Sequence, residues 1–155
     1  MMLKVIQAVS EEHTAQFRGL VIRYAEEMGF DLRHPKLVRE LEHLPGDYSP
    51  PGGLILLASV REGPAGCAAL KRLDGESCEI RRLYVVPDKR GAGTARELML
   101  TLIQKAREIG YQRVRLITLP SMRQAIGVYL GLGFQYIEPY RETTDPTARF
   151  MELTL

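Results

Sequence analysis

Lys89, Arg90, Gly91, Gly93, Thr94, Ala95 and Arg96 crowd into one short stretch, and together they are suited to holding an anion. Val85-Val86 closes an apolar run, Pro87-Asp88 breaks it, and Arg90-Gly91-Ala92-Gly93 forms a turn. From Ala95 the apolar residues recur at Leu98, Met99, Leu102, Ile103 and Ala106, which is helical spacing. The first turn of a helix carries backbone N–H groups without partners. Its macrodipole adds about half a positive charge at that end. Glycines at the entry let an anion approach the backbone and permit positive φ. Strand, glycine turn and helix therefore make a seat for phosphate, and a hydrogen bond to a charged group contributes roughly 1.5–3 kcal/mol.

Three phosphate motifs compete for this stretch. A nucleotide P-loop requires Gly-Lys followed by Ser or Thr, and the chain has no Gly-Lys pair. A dinucleotide fingerprint requires Gly-x-Gly-x-x-Gly. Gly91 and Gly93 begin one, but Arg96 stands at the third glycine, and the region near Arg113 offers no acid for a ribose. The third pattern, Arg/Gln-x-x-Gly-x-Gly/Ala, is met by Arg90, Gly93 and Ala95. It resembles the acyl-CoA pyrophosphate loop of the GNAT superfamily of N-acetyltransferases. Farther along, Ala125, Tyr129, Gly133 and Phe134 are similar to that family's second motif, Ala-x-x-x-Tyr-x-x-x-Gly-Phe. The two motifs occur in the family's order, and the resemblance runs from about Leu54 to the end.

The resemblance implies an acetyl-CoA-dependent N-acetyltransferase. An acetyl group would pass to a primary amine of a small molecule or peptide, by direct attack in a ternary complex. It implies that the amides of Arg90, Gly91, Gly93, Thr94 and Ala95 hold the pyrophosphate. Leu83 and Val85 would bond the pantetheine arm where two strands splay apart. Lys89 and Arg96 would either meet the 3′-phosphate or remain solvated charges. The family often places Asn where Met122 stands, and Ser121 is the candidate substitute.

An attacking amine with a pKa of about 10.4 is neutral in roughly one molecule in a few thousand at pH 7, a handicap of about 4–5 kcal/mol. A base within reach, direct or through water, relieves it. By the resemblance Glu79 is the candidate base; a cross-strand charge partner for Arg81, Arg82 or Lys71 is the competing reading. Tyr129 is the candidate acid beside the departing thiolate, or else a core aromatic with Ile126 and Leu130. Tyr24, Glu27, His34, Tyr48, Tyr140 and Arg141 are candidates to wall the acceptor site. Glu26 or Glu27 would favour a cationic acceptor and Arg141 a carboxylate. A non-catalytic acyl-CoA-binding sensor would keep the anion seat and show no turnover. A nucleotide-dependent enzyme is disfavoured by the missing Lys-Ser/Thr and third glycine.

The elements that must position these residues read clearly. The chain of 155 residues, net charge +2, is expected to form a single domain. Nothing in the charge balance points to nucleic acid. No apolar run reaches the roughly twenty residues of a membrane span, and the N-terminus lacks a signal-peptide layout. A cytoplasmic location is the expectation, and a homodimer is compatible with the resemblance. His13, His34 and His43 show no metal-ligand spacing, so no metal is expected. If Asp74-Gly75 is a two-residue hairpin turn, Cys67 faces Arg82 and Cys78 faces Lys71, out of disulfide reach. Both read as small buried hydrophobes, with a catalytic cysteine as the minor alternative.

In order, the pattern predicts a strand over 3–9, a helix capped by Ser10 and ended by Gly29, and a helix from Pro35 to before Pro45. Strands follow over 54–60, 65–73 and 77–86, then the helix to Ile109 closed by Gly110. A strand over 114–118 should lie parallel to the one before that helix. A short helix from Pro120-Ser121 to Leu132 and strands over 134–137 and 150–153 complete the chain. The class is α/β: a GNAT-like mixed, mostly antiparallel sheet of about seven strands flanked by about four helices, with one βαβ acyl-CoA-binding crossover.

Overall fold

Side-chain caps start the first two helices, and glycines in the left-handed conformation end the first and the third. In the computed structural model, which describes residues 2–155, the Ser10 hydroxyl accepts the His13 amide at the head of α1 (Glu11–Met28). Gly29, at φ 73°, turns the chain out of that helix. The His34 ring nitrogen accepts the Lys36 amide, and Pro35 opens α2 (Pro35–Glu42). The longest later helix, α3 (Thr94–Ile109), ends at Gly110, and α4 (Arg123–Gly131) is short.

Seven strands form one sheet: β1 (Lys4–Gln7), β2 (Leu54–Val60), β3 (Gly63–Arg72), β4 (Ser77–Val85), β5 (Arg113–Thr118), β6 (Gln135–Ile137) and β7 (Arg149–Thr154). Their spatial order is β1-β2-β3-β4-β5-β7-β6. Every neighbouring pair is antiparallel except β4 and β5, which the α3 crossover makes parallel. The expected α/β architecture is therefore present.

Strand alternation sends side chains to two faces, and each face has its own core. Leu54, Leu56, Ala58 and Leu70 pack with Leu98, Met99, Leu102, Ile103 and Ala106 of α3. Ile55, Leu57, Cys67 and Ala69 pack with Phe17, Leu20, Val21 and Ala25 of α1. Burying each large apolar side chain contributes roughly 1.5–3 kcal/mol, so both helices are fixed to the sheet by their apolar stripes. Among the described residues no helix is long and apolar enough to cross a membrane.

Two local expectations need correction. Cys78 lies opposite Arg72, not Lys71, and Cys67 lies opposite Tyr84, not Arg82. The connection spans four residues, not two, because the Asp74 carboxylate accepts the amides of Glu76 and Ser77, both at 2.8 Å, in an Asx-type turn. A further residue is gained inside β4, as described below. The thiols are free and buried, and burial pushes both up in pKa, Cys78 to about 12. Neither is poised as a thiolate nucleophile. The second correction concerns α4, which begins at Arg123; Leu119–Met122 is a turn closed by the Met122 amide on the Leu119 carbonyl at 2.9 Å.

Candidate active site

β4 and β5 pair at only three positions: Ser77–Arg113, Cys78–Val114 and Glu79–Arg115. Past Glu79 each strand keeps its other neighbour, β4 running with β3 to Val85 and β5 with β7 to Thr118. The two strands therefore diverge and open the middle of the sheet. The cause is a bulge in β4. Ala69 pairs with Arg81, but two residues back Cys67 pairs with Tyr84, three residues on. Arg82, at φ 59°, absorbs the extra residue. A Cβ at Gly66 would collide with the Tyr84 carbonyl, so this close approach of β3 to the bulged strand requires glycine.

The bulge sets which backbone groups face the opening. The Arg82 carbonyl accepts the Cys67 thiol at 3.4 Å, and the Val86 amide donates to Ala65 at 2.9 Å, so both face β3. By alternation Leu83 and Val85 present their amides away from β3, into the gap. These are the two residues expected to hold an extended ligand arm.

The gap leads to the glycine turn. Gly91 and Gly93 adopt φ 87° and 81°, which an L side chain resists, and Gly93 is the N-cap of α3. The Glu97 amide is the first to find a helical acceptor, on the Gly93 carbonyl at 3.0 Å. Among the described residues, no amide from Gly91 to Arg96 donates to the chain. The Thr94 hydroxyl is buried there without a partner. Bare amides, a helix N-terminus and an orphaned hydroxyl fit an anionic group with several acceptor oxygens.

The basic side chains are arranged differently from the simplest expectation. Arg90 turns back from the amides: its Nε donates to the Val85 carbonyl at 2.9 Å and its Nη2 to Glu27 at 2.7 Å. Its guanidinium also lies 5.8 Å from the Tyr84 ring centroid. Arg90 thus braces the turn against β4 and α1. Lys89 sits 3.7 Å from Asp88, and neither Lys89 nor the exposed Arg96 lines the cleft.

The cleft occupies about 1100 Å³, enough for a large ligand and a small one side by side. Ser121 and Tyr129 line it from the α4 side. Tyr129 is 7% exposed and packs 6.0 Å from Phe134, centroid to centroid. Burial pushes its phenol up in pKa, with Tyr24 adding to the shift, so the hydroxyl stays protonated at neutral pH. The core-aromatic and donor readings thus coexist: the ring fills the core and the residue borders the cleft.

Glu79 is fully buried at the fork of the diverging strands. The Tyr140 hydroxyl donates to one carboxylate oxygen at 2.5 Å. Arg141 donates to the other at 3.0 Å, and Arg81 stands 3.5 Å from that same oxygen. Burial and the Glu79 carboxylate both push the Tyr140 phenol up, which keeps it a donor. Both oxygens of the Glu79 carboxylate are thus engaged by the chain itself, an arrangement that suits a charge partner. Of the three partners expected for it, Arg81 is present and the other two are engaged elsewhere. Lys71 is in register with Glu79 but its ammonium goes to Asp47 at 3.4 Å, and Arg82 goes to Glu40 at 2.6 Å.

Of the remaining candidates, Tyr24, Glu27 and Arg141 line the cleft. Tyr48 is buried in the α1-side core, where its hydroxyl donates to Glu40 at 2.9 Å, and His34 is spent capping α2. Tyr140 reaches the site through Glu79. Arg81 on β4 and Phe30 after α1 line the cleft without having been expected there as contacts. Arg81 had a signal in the residue spacing, since it shares a strand face with Glu79; Phe30 had none. Among the described residues no cluster of His, Cys, Asp and Glu could hold a metal ion.

Comparison with known proteins bears on this geometry. Residues 7–134 match the model of the Acetyltransferase (GNAT) family. An uncharacterized N-acetyltransferase of Schizosaccharomyces pombe is 35% identical over 141 residues, covering 90% of this chain and 86% of that protein. A GNAT-family acetyltransferase structure from Staphylococcus aureus aligns with a TM-score of 0.82 at 18% identity, over 99% of each chain. Another, from Elizabethkingia anophelis and solved with acetyl-CoA bound, gives a TM-score of 0.71 at 17% identity over 99% of this chain and 98% of that one. A family model spanning most of the sequence, a relative matched over nearly its whole length and a shared fold converge: the chain belongs to the GNAT family of N-acetyltransferases and is an acyltransferase.

Proposed function

We propose that the protein moves an acetyl group from acetyl-CoA to a primary amine of a small molecule or peptide, by direct attack while both substrates are bound. The observation that carries this reading is the continuity of the opened sheet with the bare amides: Leu83 and Val85 face the gap, and the gap runs to Gly91, Gly93, Thr94 and Ala95. The residues fit acetyl-CoA. The amides and the Thr94 hydroxyl suit a pyrophosphate, and an extended amide-bearing arm suits the unpaired flank of β4. When bound, acetyl-CoA supplies a thioester whose carbonyl carbon accepts the amine lone pair as the C–S bond breaks.

Each residue then has a defined task. The Tyr129 hydroxyl donates a hydrogen bond to the departing sulfur. Its raised pKa means that full proton transfer to a thiol of pKa about 8.5 runs uphill, while the hydrogen bond does not. It acts as a fixed dipole toward the developing negative charge. Ser121 borders the arm in place of the expected Asn. Glu79 holds Tyr140 and Arg141 against β4, and the amine loses its proton to water.

The test is release of free thiol from acetyl-CoA across amino acids, polyamines, aminoglycosides and peptides, run beside thermal shifts with acetyl-CoA, ATP and NADH. A ligand at about 100 times its Kd stabilises by roughly 2.7 kcal/mol. Stabilisation by acetyl-CoA with thiol release for one amine class supports the transferase. Stabilisation with no release from any amine would make the chain an acyl-CoA sensor instead.

A further inference from the structure

Charge around the fork does not balance. Arg82 donates to both oxygens of Glu40, at 2.9 and 2.6 Å, and Arg115 donates to Glu152 at 2.7 Å. Those two guanidiniums are satisfied. Arg81 and Arg141 are not: they converge on a single oxygen of Glu79, whose other oxygen is taken by Tyr140. Arg81 has a second acid only at 3.9 Å, and that acid, Glu40, is already held by Arg82. The other acids of the cleft are also engaged. Glu27 is bound by Arg90 and Tyr84, and Asp145 accepts the amide and hydroxyl of Thr147 within its own turn.

Two guanidiniums therefore share one carboxylate at the wall of a half-buried cleft, leaving one positive charge in excess. Arg141 is 41% exposed and Arg81 24%, so each keeps N–H donors free of Glu79. Charges drawn out of water need compensation, and a guanidinium fork matches a carboxylate in geometry. The bulge contributes directly, because the extra residue at Arg82 keeps neighbouring arginines of β4 near Glu40 and the fork.

We infer that the acceptor carries a carboxylate beside its amine, as an amino acid does, and that Arg81 and Arg141 together bind that carboxylate. This specificity rests on the transferase reading above. Glu79 then acts as a positioning residue, aiming both guanidiniums while Tyr140 holds its second oxygen.

The experiment compares amino acids with their carboxamides and with the corresponding decarboxylated amines, in thiol release by the full chain. Amino acids are expected to show kcat/KM at least about tenfold above both analogues. Arg141→Gln and Arg81→Gln should raise KM for the amino acid by about 10- to 100-fold, change kcat within about threefold and leave the carboxamides unaffected. Arg141→Lys should restore part of the KM. Calorimetric titration of N-acetyl amino acids and their amides into the CoA-loaded protein reads the same preference without turnover. Selective binding of the carboxylate forms with no thiol release would support the carboxylate site and remove the transferase reading. Thiol release equal for acids and carboxamides, or an Arg141→Gln defect of the same size on both, would overturn the inference while the transferase stands.

Discussion

Tyr140 and Glu79, 61 residues apart in the chain, are joined by a hydrogen bond of 2.5 Å at the point where the central strands part. The contact ties the loop after β6 to the inside of β4, because Glu79 is fully buried and Tyr140 follows Ile137 by only a few residues. Removing the phenol would leave one carboxylate oxygen buried without a donor, at a cost of roughly 1–3 kcal/mol. Tyr140→Phe should lower the free energy of unfolding in urea by that amount with an unchanged m-value. A loss within about 0.3 kcal/mol would mean that water reaches the oxygen, since ordered water can replace a direct donor.

Thr94→Val should separate stability from binding. Valine has threonine's shape without the hydroxyl, and that hydroxyl is buried with no partner. Removing it relieves a desolvation penalty of about 1–3 kcal/mol. The free protein should therefore melt at the same temperature or higher. Acetyl-CoA should bind roughly tenfold more weakly, as expected for one lost hydrogen bond to a charged group. Calorimetry and thermal melts on the same preparation check both signs, and a variant both less stable and tighter binding would contradict the assignment.

Tyr129→Phe should reduce turnover by roughly 10²–10³ with little change in acetyl-CoA affinity, as for other single donors to a developing anion. Steady-state rates and equilibrium titration separate the two. Unchanged turnover in a folded variant would leave Tyr129 as core packing against Phe134 alone.

The Glu40–Arg82 pair predicts an acid limb in stability. Burial disfavours the Glu40 carboxylate, but the hydrogen bonds and charge of Arg82, with Tyr48 and Arg81, more than offset it, and the pKa is lowered. A depressed folded-state pKa means the contribution is complete above the ordinary glutamate value of about 4.3 and is lost as pH falls through the lower folded value. Glu40→Gln should cost roughly 1.5–3 kcal/mol at pH 7. The difference from the parent should shrink as pH falls below about 4. Urea midpoints from pH 7 to pH 3 test it; a constant difference would rule out ionisation as the source.

Much of this was legible in the sequence because it is local chemistry. The Ser10 cap, the Pro35 start, the Gly29 and Gly110 stops and the turn at Gly91–Gly93 each depend on residues within one helical turn. The parallel crossover from β4 to β5 followed from the same reading, while the place of β7 between β5 and β6 did not. The cysteine register did not, because the Asp74 carboxylate builds a longer turn and Arg82 adds a residue inside β4, and each shifts the pairing by one. Arg81 was an expected partner of Glu79, but its other two partners, Tyr140 and Arg141, were hidden for another reason. They come from a loop 61 and 62 residues away, and nothing in the spacing of either segment encodes their meeting. Arg90 lies in the turn, but its side chain reaches Glu27 in α1, 63 residues away, a contact that the local spacing does not encode.

Gly66→Ala probes the bulge from the opposite strand. The added methyl would strike the Tyr84 carbonyl and come within 3.2 Å of the Val85 Cα, so β3 and β4 must separate there. Overpacking of this kind costs typically about 1–3 kcal/mol. The variant should unfold at lower urea and bind acetyl-CoA more weakly, since Leu83 and Val85 would shift with the strand. Retention of both properties would show that the bulge tolerates a wider spacing.

The end of β4 past Glu79, bonded along one flank alone, must also record that asymmetry in its solvent exchange. The Val86 N–H, tied to Ala65, should trade its hydrogen for deuterium slowly, while its neighbours at Val85 and Leu83 do so orders of magnitude faster despite lying at the centre of the sheet. This odd-and-even rhythm is a fingerprint readable by NMR before any acceptor is known, and filling the slot with the cosubstrate should silence it.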